Sequence, residues 1–452
     1  MKRIGQTLLR LLFLEPLALK LALMVTLLFT AIPLVHAVLG GYVKLFLVWG
    51  ALVWLTNRLA RRRVSRSVWL LGLFALAYGV TLWLNRATTP LSANLSGLAY
   101  MLLFFFVLFP CEADTARAGQ EVRLLLGVFC GVTCLFTVAC LVTFVLQIQY
   151  KTTVRIAADY LTPVIIGMSD NRLHGLYNCN TGSTLNLLSS AFSLLLLTEG
   201  TGRAGKVFHG VNLVLQYVCL LLTLSRAAWY MYVVFAFLYV LFLLPWRWSA
   251  LSRGMLAVGV ALLVVGLSVP VKAVMSYVPA AVESLATEPA GDTPASTEED
   301  DRVDISRLED TDEVGVFTGR TELWYGGWRA FQAKPFFGTS REGLYAAAAP
   351  YVAERWLPNL HRGGLHNMPL TVLVCSGGVG FALLLAFLLV TGTRAVRGWR
   401  GMPPLARGLL LLLVCLLGVE LMEARLLYSA TIFGFVFWTV YGYALRLGEC
   451  DG

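Results

Sequence analysis

Apolar residues fall in long unbroken blocks along this chain, each near the length that crosses about 30 Å of hydrocarbon. The blocks are continuous rather than alternating. They therefore read as helices and not as the strands of a closed barrel, the other structure that satisfies its backbone in lipid. About twelve spans are predicted, near residues 18–38, 42–60, 68–85, 95–110, 123–147, 181–199, 207–224, 227–245, 254–277, 366–391, 407–427 and 429–446. Scarcely any loop separates the pair around Ser225 or the pair around Tyr428. The pattern predicts one polytopic, all-α integral membrane domain over residues 1–452, interrupted by a long external loop at 278–365.

Charge orients the helices. Lys2, Arg3 and Arg10 precede the first span, RRRVSR (61–66) follows the second and GRAGK (202–206) the sixth. RWSALSR (247–253) follows the eighth and RAVRGWR (394–400) the tenth. With twelve spans all five stretches share one side, which the excess of Lys and Arg marks as cytoplasmic, with both termini there. The chain of 452 residues is 58% hydrophobic and only 14% charged, and its net charge of +10 reads as inner-leaflet anchoring. No basic stripe sits on a soluble domain, so nucleic acid is not an expected partner. The N-terminal segment lacks a clear small-residue cleavage site and reads as an anchoring span rather than a removed signal. Nine cysteines show no CxxC spacing and most fall inside spans, which excludes a disulfide framework.

Within the external loop, residues 283–313 are acidic, with EEDDRVD (298–304) and LEDTDEVG (308–315), and read as a disordered linker without metal-ligand spacing. Residues 317–365 read as ordered. Trp324, Trp328 and Phe331 recur at helical spacing, with Thr318 or Thr321 as a start and Pro335 as a stop. This amphipathic helix fits the outer membrane surface, with Arg320 in its first turn.

Three polar groups at outer span ends carry candidate chemistry. Arg226 lies between two spans with no loop to hold it in water. It is either a snorkelling boundary residue or the cation of an outward cavity, where a charge needs a partner. Arg320 is either a surface arginine or its partner in clamping a phosphate or pyrophosphate, which guanidinium forks bind bidentately. His366 is either structural or a general base, since an unperturbed imidazole titrates near neutral pH. Asn367 is a candidate to orient a sugar hydroxyl or the ring. Gly377 and Gly380 lie about 16–20 Å further along the same helix by its rise per residue, too far to share a ligand with His366. They read as structural, allowing close helix packing. Glu420, Glu423 and Arg425 read as a structural network near the outer end of the eleventh span.

These segments resemble the O-antigen ligase and polymerase superfamily of integral-membrane glycosyltransferases. His366-Asn367, nine residues, then Gly377-x-x-Gly380 is similar to the ligase signature H-[NSQ]-x9-G-x-x-G. LSRAAW (224–229) is similar to its S-R-G/A segment, and TGRTELWYGGWRAFQAKPFFGTS (318–340) to its G-R-x-x-x-W…P-x-x-G segment. RLHGLYNCN (172–180) is similar to R-x-x-G-x-F-x-N-P-N, with Tyr177 for Phe and Cys179 for Pro. The resemblance covers residues 170–440.

The resemblance implies a GT-C-like fold in a bacterial inner membrane with the active site on the external face. It implies a donor glycan on an undecaprenyl-pyrophosphate-type lipid and a glycan or glycolipid acceptor. Arg226 and Arg320 match the arginines held to bind pyrophosphate, His366 the histidine that activates the acceptor, and Arg172 a further substrate-binding candidate. All three main groups are expected in one pocket. The reaction would invert the anomeric centre without metal or cofactor. The histidine signature favours ligase over a Wzy-type polymerase. A flippase is the rival of a different class, and the two halves of the chain show no repeat of the kind many carriers have.

Overall fold

The computed structural model describes residues 15–59, 68–111, 114–157, 160–244, 249–286, 302–305 and 319–449. The basic runs at 2–10 and 61–66, Thr318, and acidic residues 287–301 and 306–313 lie outside the described residues. In chain order the helices are α1 Pro16–Thr30, α2 Pro33–Leu39, α3 Leu45–Leu59, α4 Val68–Leu84, α5 Leu91–Leu103 and α6 Thr115–Val145. Strands β1 Gln149–Ala157, β2 Tyr160–Ser169 and β3 Arg172–Gly175 follow, then α7 Cys179–Thr198, α8 Arg203–Leu222, α9 Arg226–Leu243 and α10 Ala250–Ala286. The remainder is α11 Arg320–Ala333, α12 Leu344–Ala348, α13 Leu357–Gly363, α14 Met368–Gly398, α15 Pro404–Glu420 and α16 Ile432–Gly448.

Eight stretches among the described residues are helical, long and apolar enough to cross a membrane, and α1, α4 and α16 are shorter apolar helices. The chain is a multi-pass, mainly helical membrane protein. Apolar side chains along α10, such as Leu262, Val269 and Val274, face outward, as lipid contact requires. The structure departs from the predicted boundaries in four places. The first break falls at 31–32 rather than near residue 40, because Pro33 has no N–H to continue α1 and instead opens α2. Helix α10 runs past residue 277, through Pro270 and Pro279, to Ala286. Helix α15 stops at Glu420 and α16 starts at Ile432, so Glu423 and Arg425 stand in a loop instead of a helix end. Residues 149–175, expected as loop, form an antiparallel sheet in the order β1-β2-β3. Its β1–β2 register pairs Lys151 with Ile165 and Val154 with Thr162.

The chain divides into two compact units. The first comprises residues 1–29, 39–125 and 314–452. Its core is aromatic: Trp438 packs edge-on against Phe105 at 4.7 Å, and Phe387 lies against Phe109 at 5.2 Å and Tyr441 at 6.0 Å. The second comprises residues 30–38 and 126–313. Its helices are joined by buried polar side chains. Asn212 donates to Ser189 and Ser193 at 3.0 and 2.8 Å, Gln216 to Asn212 at 2.9 Å, and Thr137 to Gln216 at 3.0 Å. Such bonds hold membrane helices where apolar burial gives no drive, each contributing about 0.6 kcal/mol on average. Within the acidic stretch, residues 283–286 end α10, and 302–305 are docked here: Asp304 accepts from Asn171 at 2.7 Å, and Val303 N–H donates to the Ser276 carbonyl.

Candidate active site

In the first unit, α11 carries Arg320 and the loop before α14 carries His366. Helix α11 opens after Gly319, whose φ of +72° favours glycine and whose missing Cβ leaves room for the Trp356 ring. Arg320 is therefore the first helical residue, and Glu322 in the same turn complements the helix dipole. Gly326 and Gly327 are buried, and a Cβ at Gly327 would run into Leu365. Trp324 donates from its indole nitrogen to the Leu365 carbonyl at 3.0 Å. The helix that presents Arg320 is thus fastened to the residue next to His366.

His366 has φ +48°, the left-handed region, uncommon for a non-glycine residue though less so for histidine than for most. Several neighbours hold it there. Asn367 caps α14 by accepting from Leu370 N–H at 2.9 Å and donates to the Leu421 carbonyl at 3.1 Å, so both ends of its amide are engaged by backbone. Gly363 leaves the space the imidazole occupies, since a Cβ there would run into Nε2.

The third member is Glu423. Its carboxylate meets His366 Nδ1 at 3.2 Å through one oxygen and Arg320 at 3.4 Å through the other. Arg425 is held apart from this pair. It grips Glu420 through its side chain at 2.8 and 2.9 Å and its own N–H at 2.7 Å, and stacks on Phe433 at 3.9 Å. The loop bearing both is sunk into the unit: Tyr428 packs on Tyr78 at 5.1 Å and hydrogen-bonds Ser376 at 2.6 Å. Irregular backbone between membrane helices is stable when buried in protein this way.

Burial pushes the Glu423 carboxyl up. The hydrogen bond from His366, with the charges of Arg425, His366 and Arg320, outweighs it and holds the group at about 2. An ionised carboxylate only accepts, so Nδ1 of His366 donates to it, which leaves Nε2 as the ring nitrogen free of that bond. A base oriented by a carboxylate, next to a guanidinium, can take a proton and stabilise developing negative charge.

Helix α14 does not continue straight from this site. Gly377, at φ +67° and ψ −176°, breaks it, and the loop 335–340 fills the break. Gly378 and Val379 N–H groups donate to the Pro335 and Phe336 carbonyls at 2.7 and 3.2 Å, and Thr339 and Ser340 N–H groups donate to Val374 and Cys375 at 2.8 and 3.1 Å. A Cβ at Gly377 would run into the Phe336 carbonyl, whereas at Gly380 it would reach Ser376 on its own helix and Phe74 of α4 at 3.4 Å. Gly377 accommodates a loop and Gly380 a helix, where the sequence reading gives both the same task.

Arg172 and Arg226 belong to the second unit. Arg172, on β3, donates from Nε to the Thr223 carbonyl at 3.2 Å, and Ser225 meets Asn180 at 3.3 Å. The segments 172–180 and 224–229 are therefore in contact. Cys179 takes the first position of α7, where proline is favoured, and the Asn178 cap beside it still accepts from Asn180 N–H at 3.0 Å. Arg226 opens α9 and lines a cavity of about 170 Å³ with Trp229, Ser268 and Lys272. His174 on β3 is held down at about 4 by burial and by the Arg172 charge. Sequence reasoning read Glu423 as part of a structural network and did not connect it to His366 and Arg320. A carboxylate just beyond an apolar helix was the available signal.

A family model described as O-Antigen ligase matches residues 211–385. That stretch contains Arg226, Arg320, His366, Asn367, Gly377 and Gly380, while Arg172 and Glu423 lie outside it. Among curated proteins none matches the chain.

Proposed function

We propose, from the match of residues 211–385 to a family model described as O-Antigen ligase, that this chain is a membrane glycosyltransferase of the ligase type. It moves a glycan from a lipid diphosphate of the undecaprenyl kind to a hydroxyl acceptor on the external face of a bacterial inner membrane. About twelve spans with both termini inside are the topology proposed for it. His366 Nε2 takes the acceptor proton while the acceptor oxygen attacks the anomeric carbon from the side opposite the diphosphate. The glycosidic C–O bond breaks, the lipid diphosphate leaves with the electron pair, and the configuration inverts. Arg320 and Arg226 are assigned to the diphosphate oxygens, whose charge grows as the bond lengthens. Glu423 positions His366 and fixes its tautomer.

The observation that supports this reading best is the bridge His366–Glu423–Arg320, which couples a base of defined tautomer to a phosphate-binding group. Glycan transfer from a synthetic lipid-diphosphate donor by purified protein in detergent tests it. Wild type is expected to form product, His366→Ala to lose activity by on the order of 10²-fold or more with normal expression, and Arg226→Lys to be damaged because a fork becomes a point charge. A carrier needs a membrane to cross and gives no product in this assay, which would end the transferase reading.

A further inference from the structure

One cation of the first unit has no task in the chemistry above. Arg341 follows the loop 335–340 that fills the break in α14. Its backbone is held by three helices. Thr339 and Ser340 N–H groups go to the Val374 and Cys375 carbonyls, about two turns inside α14. Arg341 N–H donates to the Tyr78 hydroxyl of α4 at 3.2 Å, and Glu342 N–H to Asn94 Oδ1 of α5 at 3.3 Å. Gly343 N–H donates to Ser340 Oγ at 3.3 Å. Ser340 is buried at φ +67°, a strained conformation for a residue with a side chain. Every N–H from 339 to 343 is engaged, so anything this turn offers a ligand comes from a side chain.

The Arg341 side chain takes no part in this fastening. Among the described residues its guanidinium makes no hydrogen bond or ion pair, and the neighbouring Glu342 carboxylate is exposed and does not meet it. The half-buried guanidinium lies against Gly364, where a Cβ would stand 3.0 Å from Nη1 and 3.7 Å from Nη2. Gly364 is buried, with φ +68° and ψ −139°, a conformation that glycine alone adopts readily. Gly363 beside it leaves room for the Nε2 edge of His366. Two adjacent glycines thus seat the imidazole and a guanidinium, no more than about 12 Å apart. Arg320 approaches the same ring from its other edge, through Glu423 on Nδ1. A guanidinium partly withdrawn from water and without a counter-charge favours an anion beside it.

We propose that Arg341 is an acceptor-binding residue, whose guanidinium grips a carboxylate or phosphate carried by the acceptor glycan while His366 takes the proton of the reacting hydroxyl. The proposal rests on the reading of His366 as the base. It adds to that reading the class of acceptor: one with an acidic group within a short oligosaccharide's length of the hydroxyl. The Nε2 edge is the acceptor's side of the ring, and Arg341 stands at that edge, whereas Arg320, assigned to the diphosphate, stands at the Nδ1 edge. Carboxylate and phosphate both present the pair of oxygens that a guanidinium fork binds with two parallel bonds. The fastened turn sets the fork in place beforehand, so little freedom is lost on binding.

The test uses full-length protein in detergent, a lipid-diphosphate donor, and the acceptor glycolipid isolated from the envelope of cells that carry this protein. The acceptor is supplied untreated, with its carboxyls amidated by carbodiimide, or with its phosphates removed by phosphatase. Arg341→Gln is expected to raise the KM for untreated acceptor at least about tenfold, as loss of a charge-assisted contact does, and Arg341→Lys to recover part of the loss. Donor KM and melting temperature should not move, because the guanidinium makes no bond within the protein. If Arg341→Gln melts lower, Arg341→Met replaces it and the same KM criteria decide. One of the two treatments should weaken wild type by a similar factor and leave wild type and Arg341→Gln alike, which names the acid. Acceptor KM in Arg341→Gln equal to wild type overturns the proposal, and so does a gap between them that survives both treatments. A rise in donor KM instead moves Arg341 to the diphosphate and overturns the acceptor assignment. Acceptor binding read by thermal shift separates this proposal from the one beneath it. Binding lost in Arg341→Gln, with no transfer by wild type, refutes the transferase and keeps the site. Acceptor bound equally by both refutes Arg341 and leaves the base reading to the His366→Ala assay.

Discussion

At the scale of single residues, the site turns on one carboxylate. The sequence groups Glu423 with Glu420 and Arg425, its near neighbours, but the fold divides them: Arg425 takes Glu420, and Glu423 takes His366 and Arg320. Alone, His366 reads as readily structural and Arg320 as a surface arginine; both stood out because the segments around them resemble the ligase signatures. Their link was not legible, since nothing local to residue 423 points to residues 320 and 366. Glu423→Gln keeps the shape and removes the charge that fixes the Nδ1 tautomer. It is expected to lower kcat by roughly 10²-fold or more with donor KM little changed. The same charge sets a pH dependence. A carboxyl held at about 2 instead of 4.5 contributes stability that is complete above about pH 4.5 and is lost as pH falls through about 2. Across that window wild type should lose about 3 kcal/mol relative to Glu423→Gln, read by denaturation in detergent. Gly363→Ala, whose methyl would meet the imidazole, is expected to cut turnover while leaving the melting temperature within a few degrees. Full activity in Gly363→Ala would show that the ring need not stand where it does.

Among the elements, the helices were legible and their interruptions were not. Continuous apolar blocks mark helices in lipid whatever their order in space. A break such as that at Gly377 depends on a partner distant in sequence, here the backbone of 335–340, which replaces the hydrogen bonds the helix gives up. The sheet of 149–175 escaped for a related reason. Its strands pair β-branched and polar residues such as Thr152 with Val164, and a short run of that kind reads equally as loop. The two glycines of one motif are therefore expected to differ. Gly377→Ala combines a left-handed backbone with a collision on the Phe336 carbonyl, so it should cost upwards of about 1–3 kcal/mol and reduce folded yield. Gly380→Ala meets Phe74 at ordinary contact but stands 2.5 Å from the Ser376 Cβ of its own helix, so it needs a local shift; with an ordinary helical backbone and no collision on a carbonyl it should cost less than Gly377→Ala. Thermal denaturation of the two purified variants orders them, and equal losses would mean that the break is not specified by Gly377.

For the whole molecule, function depends on which side of the membrane each helix end faces. Helix α14 is the decisive element because it carries opposite signals at its two ends. His366 and the Asn367 cap stand at its start, and Arg394, Arg397 and Arg400 gather at its finish. Basic clusters near a span stay on the cytoplasmic side, so the start must face outward if α14 crosses once. Its length of 31 residues, about 46 Å at the helical rise, exceeds the hydrocarbon even after the loss at Gly377. In a cysteine-free background, a cysteine placed at Glu354 or Arg362, both exposed or at an exposed turn before α14, should react with an impermeant maleimide added to intact cells. One placed at Arg397 should react only after the membrane is opened. Labelling of both from outside would mean α14 dips in and returns. Labelling of Arg397 alone from outside would turn His366 toward the cytoplasm, where an acceptor assembled on the external face never meets it, and the transferase mechanism would lose its geometry whatever the fate of the individual variants.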